Sequence, residues 1–184
     1  MDRIIIGRGG WAEEVSALTG IKKFYVSNGF AGDNFLSEIK NPVEAIIAIA
    51  FPSYRERIYN ENDFKYIGYV HPSCVLYDTV LPDDIFVAPH CSITTNVKIG
   101  KQCQLNIGTI IGHSVIIGDF FTSAPNVFIG GSTIVGDRVY MGAGVVVKEK
   151  VDICSDVILG IGAVVVKDIL EPGTYVGNPL RKIK

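Results

Sequence analysis

Hydrophobic residues recur at every sixth position through the second half of the chain. From Val75 to Val164 the sequence divides into six-residue units without an insertion, and the first residue of each unit is aliphatic or Met, except Ser123. A repeat of six does not match the 3.6-residue period of an amphipathic helix. It predicts a parallel β-helix in which each hexad forms one side and three sides form a coil of about 18 residues, so that the region makes about five coils.

Two other hexad positions carry a pattern. Glycine recurs at the second position, where we expect it to permit backbone angles that other residues resist. The fifth position is mostly small or β-branched, and we expect it to fill the corner of the coil. Cys91 and Cys103 stand at fifth positions, so we expect both to face inward as core residues.

A different pattern precedes the repeats. "DRIII" reads as a buried strand followed by a glycine turn and a helix, "KKFYVSN" and "EAIIAIA" read as two more strands, and "PSYRERIYNEN" reads as a helix opened by Pro52. This order predicts a small α/β unit over residues 1–67, half the size of a Rossmann domain. The β-helix and a C-terminal tail then occupy residues 68–184.

The amino-acid composition disfavours nucleic acid as a partner and favours a reducing compartment. Lys and Arg number 17 against 19 for Asp and Glu, so no basic surface for nucleic acid is expected. No apolar run approaches the length of a membrane span, and the N-terminal apolar stretch is too short for a signal peptide. Four cysteines without a close CxxC pair suggest reduced thiols. We expect a cytoplasmic protein.

The first glycine turn has the spacing of a phosphate-binding loop. Residues 7–12 read G-x-G-x-x-A between a strand and a helix, where backbone amides and a helix N-terminus receive phosphate. Ser27 and Asn28 stand where a dinucleotide site has an acidic residue for the ribose, which disfavours NAD. The loop therefore predicts a nucleotide or sugar-nucleotide site, and a purely structural turn is the alternative.

One histidine stands inside the regular repeat. His113 occupies the third place of its hexad and is expected to point outward, while Ile111 and Val115 point inward. Imidazole changes charge near neutral pH, so it suits a general base. Asn106 lies near the same corner and is a candidate for positioning a ligand or a water. The alternative is a solvated side chain without a chemical role.

A metal site is disfavoured by the spacing of the histidines. His71, His90 and His113 lack the short histidine pair within one coil that a shared zinc site uses in some β-helical carbonic anhydrases. His71 precedes Pro72 in the linker, and His90 is expected at a surface turn.

Several segments together resemble one family. "IIIGRGGWAEEV", "YVHPSC", "NIGTIIGHSVIIGDF", "VYMGAGVVV", "LGIGAVVVKD" and "PGTYVGNPLRKI" resemble the hexapeptide acyltransferases that acetylate nucleotide-linked amino sugars or sialic acid. Within that group they are most similar to the N-acetyltransferases of the bacillosamine pathway. The resemblance implies a left-handed β-helix, acetyl-CoA as co-substrate, and a homotrimer with the coenzyme between neighbouring copies.

The resemblance also implies roles for individual residues. His113 matches the general base, and Ser114 falls where members usually have an acidic residue that raises its basicity. Further positions match contacts to the nucleotide sugar: Gly7, Gly9, Gly10, Trp11, Ser27, Asn28 and Ala50. Trp11 replaces a common histidine, and Ser27 and Asn28 replace an acidic pair.

The matching positions for acetyl-CoA are Thr122, Ala143 and Ile161, with room left by Gly131, Gly142 and Gly160. Arg181 and Lys182 are candidates for the coenzyme phosphates. We therefore expect an N-acetyltransferase that acts on the amine of a UDP- or dTDP-linked amino sugar by direct transfer. The alternatives are O-acetylation of sialic acid or of a small hydroxyl acceptor, and a β-helix that serves as a scaffold without catalysis.

Overall fold

The computed structural model describes residues 1–27, 34–39 and 42–184. This part of the chain divides into two compact units, Met1–Gly68 and Tyr69–Lys184. None of the helices in these residues has the length and apolar character needed to cross a membrane. Asn28 lies outside the described residues.

The described part of the first unit holds a four-stranded parallel sheet and two α-helices. In chain order the elements are β1 (Asp2–Ile6), α1 (Gly10–Thr19), β2 (Phe24–Tyr25), a 3-10 helix (Leu36–Glu38), β3 (Val43–Ile47), α2 (Pro52–Glu61) and β4 (Lys65–Tyr66). The strand order is β2-β1-β3-β4. Strand β4 was not predicted from the sequence. Strands β1 and β3 lie in the centre and are rich in isoleucine because a parallel sheet is covered on both faces.

The second unit is built from short parallel strands stacked in three sheets. One sheet has eight strands: Tyr69–Val70, Phe86–Val87, Gln104–Leu105, Thr122–Ser123, Tyr140–Met141, Val157–Leu159, Gly173–Val176 and Arg181–Lys182. Another has six: Val75–Leu76, Ser92–Ile93, Ile110–Ile111, Phe128–Ile129, Val146–Val147 and Val164–Val165. The last has four: Lys98–Ile99, Ile116–Ile117, Ile134–Val135 and Asp152–Ile153. The final strand, Arg181–Lys182, pairs antiparallel.

Successive coils pair at a spacing of 18 residues through the regular region. Ile93 pairs with Ile111, and Ile111 pairs with Ile129. First-position side chains from Val87 to Leu159 are buried, and so are fifth-position residues such as Val97, Val139 and Val157. Cys91 and Cys103 are fully buried in the same core, as predicted. These stacked sheets with few helices are consistent with a left-handed β-helix.

The exception to the apolar first positions is accommodated by a hydrogen bond inside the core. The hydroxyls of Ser123 and Thr109 lie 2.9 Å apart, and both residues are buried. The Thr109 hydroxyl donates to the carbonyl of Asn106 at 2.7 Å, so its oxygen accepts from Ser123. Two buried polar groups are thus satisfied within the coil.

The register predicted for the first coil is wrong. Leu76, not Val75, pairs with Ile93, so this coil is one residue shorter than those that follow. Val75 is 49% exposed, whereas the sequence predicted that it is buried. The shift lies between Leu76 and Phe86, because Phe86 pairs with Gln104 at the regular spacing. The first coil pairs with a neighbouring coil on one side only, so its length is less constrained than that of the coils that pair on both sides.

The predicted reason for the second-position glycines is also wrong. Left-handed backbone falls on the fourth position, where every sixth residue from His90 to Gly162 has φ between 53° and 70°, and most of these residues are not glycine. The second-position glycines are needed for close stacking instead. A Cβ on Gly112 would lie 2.7 Å from the backbone nitrogen of Gly131 in the next coil.

Candidate active site

His113 lies on the edge where the six-stranded sheet turns into the four-stranded sheet. We call this turn and its equivalents in neighbouring coils the active edge; it includes residues 112–115 and 130–133. The imidazole is exposed, while Ile111 and Val115 beside it are fully buried. The predicted outward direction of His113 is confirmed, and its side chain is available to a ligand.

The distal end of the imidazole rests on Gly131 of the next coil. A Cβ built on Gly131 would lie 2.6 Å from Nε2, 2.8 Å from Cε1 and 3.0 Å from Cδ2 of His113. The backbone N–H of Ser132 donates to the carbonyl of His113 at 2.7 Å, which fixes the two coils against each other. Gly131, predicted to contact the coenzyme, is therefore a direct neighbour of the candidate base.

The structure does not join His113 to the two side chains predicted to assist it. Ser114 has φ 59° and donates its backbone N–H to Thr95, and no hydrogen bond links its hydroxyl to the imidazole. Asn106 lies on a different edge, and its Oδ1 accepts from the backbone N–H of Ile107 at 2.7 Å. Within the described residues, neither ring nitrogen of His113 has a hydrogen-bond partner.

The residues predicted for acetyl-CoA fall at three places. Gly131 lies on the active edge. Gly142, Ala143, Gly160 and Ile161 lie where the eight-stranded sheet turns into the six-stranded sheet, which we call the second edge. Thr122 lies within a strand of the eight-stranded sheet and is 4% exposed. The active edge and the second edge are separated by the full width of the six-stranded sheet.

The C-terminal basic pair lies near a separate cavity. Arg181 and Lys182 help to line a hollow of about 320 Å³ together with Tyr175 and Leu180. The Lys182 ammonium lies 2.9 Å from Glu171, so its charge already has a partner.

The glycine loop of the first unit borders another cavity. Gly7, Arg8 and Gly9 line a hollow of about 260 Å³, together with Glu13, Phe24, Val26 and Asn34. Gly7 has φ 139°, and a Cβ there would lie 2.5 Å from the carbonyl oxygen of Ala48, so this position requires glycine. Gly9 precedes α1 as its N-cap.

Several predicted nucleotide contacts lie beside this cavity, not in its wall. Of the described residues, Gly10 and Trp11 belong to the first turn of α1, and Ser27 follows β2 and is exposed. Ala50 follows β3, and its carbonyl accepts from Arg55. Asn28 was predicted here and falls among the residues that are not described.

Sequence reasoning missed five residues that line the cavity: Arg8, Glu13, Phe24, Val26 and Asn34. Arg8 is the variable residue inside the G-x-G motif, so the motif already pointed to it. Phe24 and Val26 come from the end of the second predicted strand, next to the loop in a parallel sheet.

Arg55 was also missed. This side chain is fully buried and donates from Nη1 to the carbonyls of Ile49 (2.6 Å) and Ala50 (3.2 Å). It thereby holds the turn between β3 and α2, and Ala48 at the start of that turn packs against Gly7.

The two core cysteines, Cys91 and Cys103, are not accessible as nucleophiles. All four are free thiols, and burial raises the pKa of Cys91 to about 12. Burial also raises the pKa of Cys154. Among residues 1–27, 34–39 and 42–184, no three His, Cys, Asp or Glu side chains form a group that could hold a metal ion.

No protein-family model matches the chain. A curated relative, the GDP-perosamine N-acetyltransferase of Escherichia coli O157:H7, is 33% identical over 83 residues, which are 43% of this chain. The matched region spans 38% of the relative's length.

Solved structures match over the whole length. WeeI from Acinetobacter baumannii AYE has a TM-score of 0.86 and 26% identity, covering 99% of each chain. PerB from Caulobacter crescentus, solved with CoA and GDP-perosamine, has a TM-score of 0.82 and 23% identity, covering 100% of this chain and 98% of PerB. This chain has the fold of a perosamine N-acetyltransferase. The resemblance found in the sequence, to acetyltransferases of nucleotide amino sugars, is confirmed by these neighbours.

Proposed function

We propose that this protein is an acetyl-CoA-dependent N-acetyltransferase acting on a nucleotide-linked amino sugar, with His113 as general base. The observation that carries the proposal is the active edge, where an outward imidazole lies against Gly131 of the next coil. The neighbours support it, since PerB was solved with CoA and GDP-perosamine, and variants of the perosamine N-acetyltransferase from Caulobacter crescentus with one histidine replaced were solved with the same ligands.

The chemistry follows from the groups at this edge. The sugar amine attacks the thioester carbonyl carbon and forms the C–N bond, while the imidazole of His113 takes the proton that the amine loses. The C–S bond then breaks, and the departing thiolate of coenzyme A receives the proton that the His113 imidazolium holds. Direct transfer is favoured because Cys91 and Cys103 are buried in the core and cannot carry an acyl group.

A donor for the developing oxyanion is available next to the base. Within the described chain, the backbone N–H of Gly131 donates to no protein acceptor. It lies on the coil against which the imidazole rests, so it is placed to stabilise negative charge on the carbonyl oxygen.

We assign the two units separate tasks. Residues 1–67 form an α/β domain of half-Rossmann type that holds the nucleotide sugar at the cavity bordered by Gly7 and Gly9. Residues 68–184 form the acyltransferase domain, a left-handed β-helix of about five coils with a C-terminal tail. The free thiols suit a reducing compartment, so we place the enzyme in the cytoplasm.

The catalytic assembly is a homotrimer. Side chains on the outer surface of the six-stranded sheet are apolar and partly exposed, including Ile110, Phe128 and Val146, and Ile116 and Ile134 continue this surface across the active edge. A three-fold ring covers such faces and brings the active edge of one copy to the second edge of its neighbour. One coenzyme then contacts both sets of predicted residues.

Light scattering should give three times the chain mass of 20.0 kDa. Phe128→Asp should lower both the mass and the activity. A stable monomer that acetylates at full rate would contradict the trimer.

The substrate class is tested by direct acetylation. Acetyl-CoA is incubated with UDP-, dTDP-, GDP- and CMP-linked amino sugars, and mass spectrometry detects addition of one acetyl group. Each amino sugar is paired with its hydroxyl counterpart and with free sialic acid and serine. Acetylation of an amine supports the proposal, acetylation of a hydroxyl supports an O-acetyltransferase, and no acetylation of any acceptor supports a scaffold.

A further inference from the structure

We propose that Gly131 is a positioning residue for the reaction. Because Gly131 has no side chain, the His113 imidazole can pack against its backbone, and this contact keeps the ring in its working orientation. The inference rests on the proposed function and adds to it the means by which the base is oriented.

The proposal is based on the contacts between Gly131 and the His113 ring. The three atoms nearest to a Cβ on Gly131 are Nε2, Cε1 and Cδ2, which form the distal end of the His113 ring. All three would lie at or below 3.0 Å, closer than carbon tolerates. Any side chain at position 131 therefore displaces the ring, and with it the nitrogen that would accept the proton.

The neighbouring glycines on this edge serve another purpose. A Cβ on Gly130 would meet the backbone of the next coil, 2.4 Å from the nitrogen of Glu149, and a Cβ on Gly112 would lie 2.7 Å from the nitrogen of Gly131. Backbone in a stacked coil cannot yield, so these two positions require glycine for the fold. At position 131 the obstacle is the end of a side chain, which rotates at low cost.

Packing also accounts for the lack of an acidic partner. Ser114 makes no hydrogen bond to the imidazole, and within the described residues neither ring nitrogen has a protein partner. The ring is held by contact with the next coil and not by a charge. Ser114→Ala should accordingly change kcat by no more than about threefold, well below the effect of a positioned base.

Gly131→Ala is the decisive substitution. We expect the variant to fold and to keep its KM for acetyl-CoA, because alanine retains the backbone N–H assigned to the thioester oxygen. We expect kcat to fall by about 100-fold, as misplacement of a reacting group by roughly 1 Å produces. In a His113→Ala background the same substitution should have almost no further effect, because the ring it displaces is absent. Gly130→Ala is the matched control, and we expect it to lower Tm strongly.

A spectroscopic readout separates this inference from the proposed function. With [13Cε1]histidine, the His113 signal, assigned by its loss in His113→Ala, should move in Gly131→Ala while those of His71 and His90 stay. This result stands even if no nucleotide sugar is acetylated. If Gly131→Ala does not fold, the double variant with His113→Ala should fold, because the obstructing ring has gone.

Three results would overturn the positioning role. One is an unchanged His113 signal in Gly131→Ala. Another is a raised KM for acetyl-CoA with unchanged kcat, which would show that the glycine makes room for coenzyme. The last is an equal loss of activity with and without His113.

Discussion

Replacing His113 with alanine should separate catalysis from folding. The side chain is exposed, and its neighbours Ile111 and Val115 fill the core without it. Its packing is a contact with Gly131, worth about 0.1–0.2 kcal/mol for each atom pair. We therefore expect the free energy of unfolding to change by less than about 0.5 kcal/mol.

The expected loss of activity is far larger. Removal of a positioned general base costs about 100-fold to 10,000-fold in rate. At about 1.36 kcal/mol per factor of ten, this is roughly 3 to 5 kcal/mol of transition-state stabilisation. The loss should be largest near neutral pH and should shrink as pH rises, since the amine acceptor then deprotonates in solution.

The assay measures kcat/KM against pH for wild type and His113→Ala, with the sugar nucleotide identified in the acetylation screen and chromatographic separation of acetyl-CoA from CoA. Acetyl-CoA binding by the variant, measured by calorimetry, is the control for an intact site. If the two pH curves lie within about threefold of each other, His113 is a solvated surface residue and the catalytic assignment is wrong.

Other predictions test the core, the first unit and the response to acid. Ile129→Ala should lower the free energy of unfolding by about 2–5 kcal/mol in urea titrations, whereas Leu170→Ala, at an exposed site, should change it by less than about 0.5 kcal/mol. Arg55→Met should weaken nucleotide-sugar binding by about tenfold or more in calorimetry, since the carbonyls of Ile49 and Ala50 lose a charged donor, while acetyl-CoA binding stays unchanged. Hydrogen bonds from two basic side chains lower the pKa of Glu44 from 4.5 to about 2. Because the folded pKa is the lower one, this carboxylate stabilises the fold above pH 4.5, and the contribution is lost as pH falls towards 2. Glu44→Gln should therefore flatten the dependence of Tm on pH in that window, and an unchanged slope would contradict the assignment.

The sequence predicted the parts of the fold that repeat. Ile111 and Ile129 are buried because a period of six repeats the same environment at each turn. The prediction failed at Val75. The hexad pattern includes this residue, but the first coil has a neighbouring coil on one side only and pairs at a spacing one residue shorter than the regular 18. The periodicity carried no sign of that shift.

Part of the candidate site was also predicted from the repeat and from a local motif. His113 is an outward residue in the register, and the glycine motif pointed to the cavity of the first unit. The contact between His113 and Gly131 was implied by their separation of one coil, but Gly131 was predicted to leave room for the coenzyme and its contact with His113 was not considered. Arg55 was missed because a charged residue on a helix ordinarily indicates an exposed face. Its burial depends on the carbonyls of Ile49 and Ala50, which accept its hydrogen bonds once the turn before α2 has formed.

The fixed stacking distance also constrains how the length of this chain can change over evolution. Ile93, Ile111 and Ile129 each pair with neighbours on both sides, so deletion of one residue among them would turn buried side chains outward in every later coil. A natural variant of different length should therefore gain or lose a whole coil, or carry its extra residues as a loop at a corner. The first coil, one residue shorter than the others, is the place where a single-residue difference in length affects the pairing of only one coil.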